Sequence, residues 1–366
     1  MKGQWYGWVY GATPGKVLLD LDQVGEVFAG SAYLIPDDHA MPATLAEIRT
    51  PDGGLQHDLT VPTVPIHRGR RLPMSFQELT AQYPTVVHAA YANVSLKLIG
   101  PELRVSFTAP TGAQGTGRLL PSRATEASEI KPESRLGKTN DLLDLLRSFP
   151  KQQYIFRGQS VPKRLRTSFH RRNRYDLRPY LNHAIPQLTP AVAAATGHTF
   201  HFDRPGEFGA FMNLVQHHGF PTPLLDWTNS PYVAAYFAFA DAKQDQNYAA
   251  RLFALDRDAW CTNVPQFDYI AYDDVHFSVV DLLNIGNIRQ HPQQAVATLT
   301  NVDDIETYIR QIEADKGRRF LRVYDLEPSL RSECLTELDV MGVHAASLFP
   351  GLDGVCEQMK NRIFGY

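Results

Sequence analysis

The segment YIFRGQS, residues 154–160, places one arginine at the end of an apolar run. Aromatic and β-branched residues favour a strand, and Gly158 lets the backbone turn or lets another group approach closely. A buried guanidinium without a partner costs free energy. We therefore expect Arg157 to face either a carboxylate of this chain or an anion from outside.

A second candidate site lies in QHHGFPTPLLDWTNSPYVAAYFAFA, residues 216–240. Ser230 followed by Pro231 is typical of a helix start, with serine as the N-cap and proline at the first helical position. The free N–H groups at such a helix end favour anions. Asp226 and Trp227 lie just before this end and provide an acid and a flat ring, so we expect a pocket here.

The same residues also have purely structural interpretations. Asp226 and Thr228 are common turn residues, and Trp227 is often part of a core. Their density beside the helix start favours the pocket. Because Arg157 needs a counter-charge, we expect its guanidinium within ~4 Å of the Asp226 carboxylate or in the same pocket.

Basic residues are concentrated between positions 157 and 178. They are Arg157, Lys163, Arg164, Arg166, Arg171, Arg172, Arg174 and Arg178, and the only acid among them is Asp176. This pattern is typical of a phosphate-binding surface and predicts a nucleotide or nucleic acid as partner. The alternative is that these arginines pair with acids elsewhere in the chain.

Two groups of histidines remain. His217 and His218 are adjacent, so on a helix they point in different directions and chelate one metal poorly. One of them could face a pocket as an acid, a base or a hydrogen-bond donor. The segment HTFHFD offers His198, His201 and Asp203 with metal-like spacing, but no further ligands cluster nearby. We therefore predict no metal site.

Composition limits the class of protein. The 366 residues suggest two domains, and the net charge of -3 gives no general attraction for nucleic acid or anionic lipid. The three cysteines form no CxxC pair, which argues against a disulfide framework and a zinc cluster and fits a reducing compartment. The strongest apolar run is too short to span a bilayer. These features predict a cytoplasmic protein without a membrane segment.

The chain divides into three regions, and the fold class is predicted to be α+β. Residues 1–120 contain short alternating apolar runs separated by turn residues, which predict a small all-β sandwich or barrel. Residues 121–139 lose this pattern and are predicted to be a linker. Residues 140–366 are predicted to form a mixed α/β domain that begins with a helix capped by Asn140. Three further helices are predicted to end at glycines, namely Gly219, Gly317 and Gly342.

Three separated motifs of the second domain resemble the FRG domain family, named for its Phe-Arg-Gly motif. They are YIFRGQS, EFGAFMNLVQHHGFPTPLLDWTNSPYVAAYFAFA and GVHAASLFPGLDGVCEQMK, within residues 140–366. The family's central pattern reads approximately QHxGxPTRLLDWT. The matching positions are Gln216, His217, Gly219, Pro221, Thr222, Leu224, Leu225, Asp226, Trp227 and Thr228. The chain departs at Pro223, where the family commonly has arginine, so Arg157 or the basic segment would have to supply that anion contact.

The core of this domain is also similar, more weakly, to mono-ADP-ribosyltransferases, in which an arginine on an early strand holds the pyrophosphate of NAD. This similarity implies a cofactor site of Arg157, Gly158, Gln159, Trp227, Thr228 and Ser230. His217 would bind a ribose hydroxyl or act as acid or base, and Asp226 would stabilise a developing oxocarbenium cation. The late catalytic glutamate of that fold is not recognisable in a Gln/Glu-x-Glu motif on a strand.

These resemblances imply a nucleotide- or NAD-binding enzyme of ADP-ribosyltransferase type, acting as a toxin or an anti-phage defence effector. The β-rich domain would then recognise a protein target or a trigger. The alternative is a non-catalytic module that senses nucleotides or nucleic acid. A nuclease is disfavoured, because the sequence lacks a cluster of metal-binding acids.

Overall fold

The computed structural model describes residues 1–69, 72–240, 248–270 and 274–365. It confirms the α+β class, with an all-β barrel followed by a mixed α/β region built on a second sheet. Within these ranges no helix is both long and apolar enough to cross a membrane. The last two residues of the helix predicted in PYVAAYFAFADA lie outside the described residues.

The N-terminal domain is a closed barrel of eight described strands, which decides between the predicted sandwich and barrel. The strands are β1 (Gly3–Tyr10), β2 (Gly15–Val24), β3 (Val27–Pro36), β4 (Ala43–Arg49), β5 (Gln56–Ile66), β6 (Tyr91–Ile99), β7 (Glu102–Thr108) and β8 (Gln114–Pro121), and helix α1 (Phe76–Gln82) lies between β5 and β6. Sequential neighbours pair antiparallel, and β1 closes the barrel against β8. Alternate residues such as Val17, Leu19 and Leu21 fill the interior, as the period of a strand requires.

The second domain contains a seven-stranded sheet. Its strands are β9 (Ser134–Leu136), β10 (Tyr154–Gln159), β11 (Leu224–Thr228), β12 (Ala250–Asp256), β13 (Phe277–Val280), β14 (Ala295–Thr300) and β15 (Leu321–Leu326). Their order is β13-β14-β11-β10-β12-β15-β9. Neighbours are antiparallel except β15 and β9, which are parallel. The strand that carries the Phe-Arg-Gly motif, β10, is therefore central.

Helices cover both faces of this sheet. They are α2 (Thr139–Ser148), α3 (Ser168–Arg171), α4 (Leu177–Pro179), α5 (Ile185–Thr196), α6 (Pro205–His217), α7 (Pro231–Ala240), α8 (Arg257–Asn263), α9 (Ile305–Lys316), α10 (Arg331–Val340), α11 (Ala345–Leu348) and α12 (Leu352–Phe364), with a π-helical turn at Tyr180–Ala184 and a 3-10 turn at Pro328–Leu330. Asn140 lies inside α2 and does not cap it, because the helix begins at Thr139 with Lys138 at the N-cap position. The predicted glycine ends are found: Gly219, Gly317 and Gly342 all have positive φ just beyond α6, α9 and α10.

The core has a layer on each face of the sheet. Tyr154 and Phe156 of β10 pack in one layer with α7 and α10. Ile155 points to the other layer, where it packs with Trp227 and Trp260. The alternation of side chains along β10 thus decides which layer each residue joins.

Residues 121–139, predicted as a linker, are ordered and pack along the second domain. Ser122 donates a hydrogen bond of 2.6 Å to the Asp303 carboxylate, and Ser128 donates one of 2.8 Å to Glu306. The segment also contributes β9 to the edge of the second sheet. Its polar composition and lack of apolar periodicity do not indicate this role.

Buried polar groups join the barrel to the second domain. The Gln4 amide donates to the Asn301 carbonyl at 2.8 Å, and its oxygen accepts from the Asp303 N–H at 2.9 Å. The Tyr175 N–H donates to the Asp22 carboxylate at 2.7 Å. Burial raises the pKa of Asp22 to about 6. The two units therefore share a specific contact surface.

Candidate functional site

The second sheet splits between its two central strands, and a cavity lies at the split. Strand β10 pairs with β12 from Tyr154 to Gln159, and β11 pairs with β14 along its whole length. Strands β10 and β11 share only the pair Phe156–Thr228. Beyond that pair they diverge, and Arg157 is the next residue of β10. The cavity there has a volume of about 1080 Å³.

Arg157 and Asp226 share this cavity, but their side chains do not form a salt bridge. The Nη1 of Arg157 donates a 2.6 Å hydrogen bond to the main-chain oxygen of Asp226. The buried Nε of Arg157 has no hydrogen-bond partner among the described residues. Burial lowers the pKa of Arg157 to about 10; the charge of Asp226 opposes this effect, and Arg171 adds to it. The guanidinium therefore keeps donor capacity that an acceptor in the cavity could use.

The basic residues of the segment 157–178 differ in whether a described carboxylate pairs with them. Four of them form ion pairs with acids of the same chain: Arg164 with Asp304 at 3.0 Å, Arg166 with Asp303 at 2.5 Å, Arg174 with Asp22 at 3.5 Å and Arg178 with Glu47 at 2.8 Å. For these four the structural alternative holds. Arg157, Lys163 and Arg171 line the cavity, as Arg164 and Arg166 also do, but none of the first three forms an ion pair with a described carboxylate.

The Asp226 carboxylate is exposed and is positioned by a glutamine. Its Oδ1 accepts a hydrogen bond from the Gln216 amide, and the Gln216 oxygen accepts from the Thr222 hydroxyl. Thr222 is in turn fixed by its N–H, which donates to the Ser168 hydroxyl at 2.9 Å. This chain of hydrogen bonds orients the carboxylate toward the cavity that it lines.

His217 ends α6 and lines the same cavity. Its buried Nε2 has no hydrogen-bond partner in the part of the chain that the structure describes. Burial lowers the pKa of His217, Asp226 opposes the shift, and Arg289 adds to it. The imidazole is therefore neutral at neutral pH, so it can donate one hydrogen bond or accept one, but it adds no positive charge.

Gly158 has a packing role. A Cβ at this position would lie 1.9 Å from the Ala234 carbonyl oxygen and 2.5 Å from the Ala238 nitrogen. Both atoms belong to the backbone of α7, so the absence of a side chain lets this helix lie directly on β10. Gly158 also borders the cavity. Gln159 lines the cavity too, and its amide donates to the Lys163 carbonyl at 3.0 Å.

Trp227 belongs to the core, as its structural interpretation predicts. Its side chain is only 3% exposed, and its Nε1 donates to the Thr298 hydroxyl at 3.0 Å. The residue forms part of the cavity wall, but its ring is packed among apolar side chains in the core layer that contains Ile155 and Trp260. Trp227 can therefore form a wall of the cavity, but its buried ring is not open for a ligand to stack on.

Thr228 and Ser230 hold the turn between β11 and α7. The Thr228 hydroxyl donates to the Gln293 carbonyl at 2.7 Å and accepts from the Ser230 N–H at 3.0 Å. The Ser230 hydroxyl accepts from the Val233 N–H at 3.3 Å, so it caps α7 as predicted. Thr228 lines the cavity, whereas Ser230 is not among its lining residues.

The cavity also has walls that the sequence did not indicate. Residues 124–127 form one side, and they bring in the carboxylate of Glu126, which pairs with Arg123 at 2.6 Å. Phe237 and Phe349 provide aromatic walls. Phe349 lies in the motif GVHAASLFPG, which could have suggested it. No periodicity or motif marks Glu126.

No group of three or more His, Cys, Asp or Glu within the described ranges could hold a metal ion. Searches among curated proteins and among solved structures found no match to the chain. A family model matches a shorter part of the chain than the resemblance covers, and the motif GVHAASLFPG lies outside the matched residues. Residues 152–247 match the model of the FRG domain, and the C-terminal part of this chain therefore contains an FRG domain.

Proposed function

We propose that the cavity binds a nucleotide and that the chain is an NAD-consuming enzyme of ADP-ribosyltransferase type. The observation that supports this best is Arg157, a cation at the split of the sheet whose Nε has no partner within the described ranges. A phosphate oxygen would accept from that Nε and from the remaining N–H groups. Such charge-assisted contacts are the strong hydrogen bonds of proteins.

The charges around the cavity favour an anion. Arg157, Lys163 and Arg171 carry positive charge into it without a carboxylate partner among the described residues, whereas Asp226 and Glu126 are the described acids of its lining. The Glu126 charge is already balanced by Arg123. The net field is therefore positive on the side of Arg157, which suits the two phosphates of a pyrophosphate.

Size and apolar surface fit the rest of a dinucleotide. The volume of about 1080 Å³ is at the upper end of ordinary small-molecule pockets. The rings of Phe237 and Phe349 lie edge to face with centroids 5.9 Å apart. They would provide an apolar wall for a base, in place of the buried Trp227.

His217 and Asp226 would perform the chemistry. The neutral imidazole can donate to a ribose hydroxyl. NAD supplies a glycosidic bond to nicotinamide that breaks with positive charge developing on the ribose, and the carboxylate of Asp226, oriented by Gln216, would stabilise that charge. The acceptor's nucleophile forms the new bond and gives its proton to a base, for which Asp226 and Glu126 are the candidates. In a cell, such an activity would suit a toxin or an anti-phage effector.

A non-catalytic nucleotide sensor is the second candidate. It is favoured by one observation: the Asp226 carboxylate is engaged by Gln216 and the residue's carbonyl by Arg157, so Asp226 also serves to hold the cavity together. A sensor would need the cation and the walls of the cavity but no reacting carboxylate.

The decisive experiment incubates the full chain with NAD and quantifies nicotinamide by liquid chromatography, with calorimetric titration of NAD and ADP-ribose in parallel. Release of nicotinamide that is lost in Asp226→Asn would support the enzyme. Binding without release would favour the sensor. Absence of both, in protein shown to be folded, would refute the nucleotide site.

A further inference from the structure

The barrel contains a second cavity, far from Arg157 in sequence and in the fold. It has a volume of about 140 Å³ and is lined by inward-facing residues of the barrel strands, including Val17, Leu19, Leu34, Leu96 and Phe107. It lies at the end of the barrel where the turns between β1 and β2, β3 and β4, and β7 and β8 meet, because residues of all three turns line it.

The cavity exists because small residues occupy the interior of this half of the barrel. Ala32 and Ala46 are paired across β3 and β4, and both line the cavity. In the other half, large side chains such as Trp5, Leu21 and Phe28 fill the interior. A well-packed protein core leaves few voids larger than a water molecule. An unfilled cavity in one half of the barrel is therefore unusual, and a bound molecule would fill it.

The chemistry of the lining excludes a charged occupant. Among the described residues that line it, none is Asp, Glu, Lys or Arg. The most prominent polar feature is a 3.2 Å hydrogen bond between the Thr44 hydroxyl and His88 Nε2. Burial lowers the pKa of His88, so its ring is neutral. Apolar cavities of about 150 Å³ stay dry and accept a molecule such as benzene.

The cavity is accessible from the surface. Val87 contributes to its lining and yet has a side chain that is 77% exposed. Met41 and Pro42, in the connection between β3 and β4, border the same end. Val87 lies in the connection between β5 and β6. A small molecule could therefore enter between this connection and the one between β3 and β4 without opening the barrel wall.

We propose that the barrel is a binding site for one small, uncharged, apolar molecule of about the size of a benzene ring. Eight-stranded barrels are just wide enough either to be filled by side chains or to hold one small ligand, and this barrel is filled in one half and empty in the other. The proposal does not depend on the nucleotide site, since none of the described residues lines both cavities.

Fluorobenzene is the probe for a test on the full chain, with its ¹⁹F signal observed during titration and benzoate as the charged control ligand. Ala46→Leu and Ala32→Leu each fill the cavity, and Ala194→Leu adds the same atoms at an exposed position of α5. We expect saturable binding of fluorobenzene but not of benzoate to the wild type. Binding should be unchanged in Ala194→Leu and at least about tenfold weaker in the filled variants.

Two results would overturn the proposal. One is the absence of saturable fluorobenzene binding to the folded wild type. The other is wild-type affinity in a filled variant whose circular dichroism and melting curve show that it is folded. If both filled variants fail to fold, Ile48→Val decides instead: it enlarges the cavity by one methylene group, so the ratio of toluene to benzene affinity must rise if the site is real and stay constant if it is not.

Discussion

Replacement of Arg157 by alanine is the most direct test of the nucleotide site. The guanidinium uses one N–H for the Asp226 carbonyl at 2.6 Å, and its Nε contacts no acceptor among the residues that the structure describes. A hydrogen bond to a charged group contributes about 1.5–3 kcal/mol. Loss of one such contact to a phosphate therefore predicts a dissociation constant for NAD or ADP-ribose that is about tenfold to 150-fold higher.

The same substitution should change the folding stability only modestly. It removes one hydrogen bond to a main-chain oxygen, worth about 1 kcal/mol, but it also removes a cation whose lowered pKa reflects an unfavourable, partly desolvated position. Arg157→Lys should keep the charge and lose the planar fork, so its affinity should fall between those of wild type and Arg157→Ala. The affinity loss is thus separable from unfolding.

The assay is calorimetric titration of the full chain with ADP-ribose, together with a thermal melt of each variant. Arg172→Ala is the matched control, because Arg172 is an exposed cation of the same basic segment that does not line the cavity. Equal affinity of Arg157→Ala and wild type would refute a phosphate contact at Arg157. Equal losses in Arg157→Ala and Arg172→Ala would instead indicate a diffuse electrostatic effect of the whole segment.

Three further changes test other parts of the structure. Asp226→Asn should lower nicotinamide release more than ADP-ribose affinity, measured by turnover beside calorimetry, because only contacts that strengthen in the transition state accelerate chemistry. Gly158→Ala should lower the free energy of unfolding by about 1–3 kcal/mol, because the new Cβ clashes with α7. Gly137→Ala is the control and should not lower it, because its Cβ would make only an ordinary contact. Equal denaturant midpoints for the two variants would contradict this prediction. The pKa of Asp22 is raised to about 6, so the folded protein binds this proton more tightly than the unfolded chain does. The free energy of unfolding should therefore fall as the pH rises through that value. Melting curves at pH values below and above 6 should show this loss in the wild type and a smaller loss in Asp22→Asn.

Local patterns predicted the elements of the site. The apolar run before Arg157 is a strand, Ser230 caps the helix that follows Asp226, and glycine ends α6. Each of these features depends on a few consecutive residues, whose spacing determines the local backbone. The same is true of the barrel, where alternating short runs became strands, although the alternation did not decide between a barrel and a sandwich.

Contacts between residues that are far apart in the sequence could not be predicted from local patterns. Arg164 and Arg166 pair with Asp304 and Asp303, more than 130 positions away, and no local pattern marks those partners. Glu126 reaches the cavity from a segment without periodicity. Trp227 lies in a strand with apolar residues on both faces, Leu224 on one and Leu225 on the other, so the sequence does not tell which face carries the cavity.

The Phe-Arg-Gly motif is best understood as three consecutive positions of one strand with three different tasks. Phe156 is buried against α7 and forms the single pair that joins β10 to β11. Gly158, two residues on and hence on the same face, lets the α7 backbone approach. Between them, Arg157 must point to the other face, at the position where the two strands begin to diverge.

This arrangement makes the position of the guanidinium a consequence of packing. A shift of β10 by one residue would move Gly158 away from α7 and place a side chain against the helix backbone, so the register is strongly fixed. The contact between α7 and Gly158 therefore holds Arg157 at the split of the sheet, where its Nη1 reaches the Asp226 carbonyl. Changes at Gly158 should for this reason weaken nucleotide binding even though the glycine has no side chain to contact a ligand.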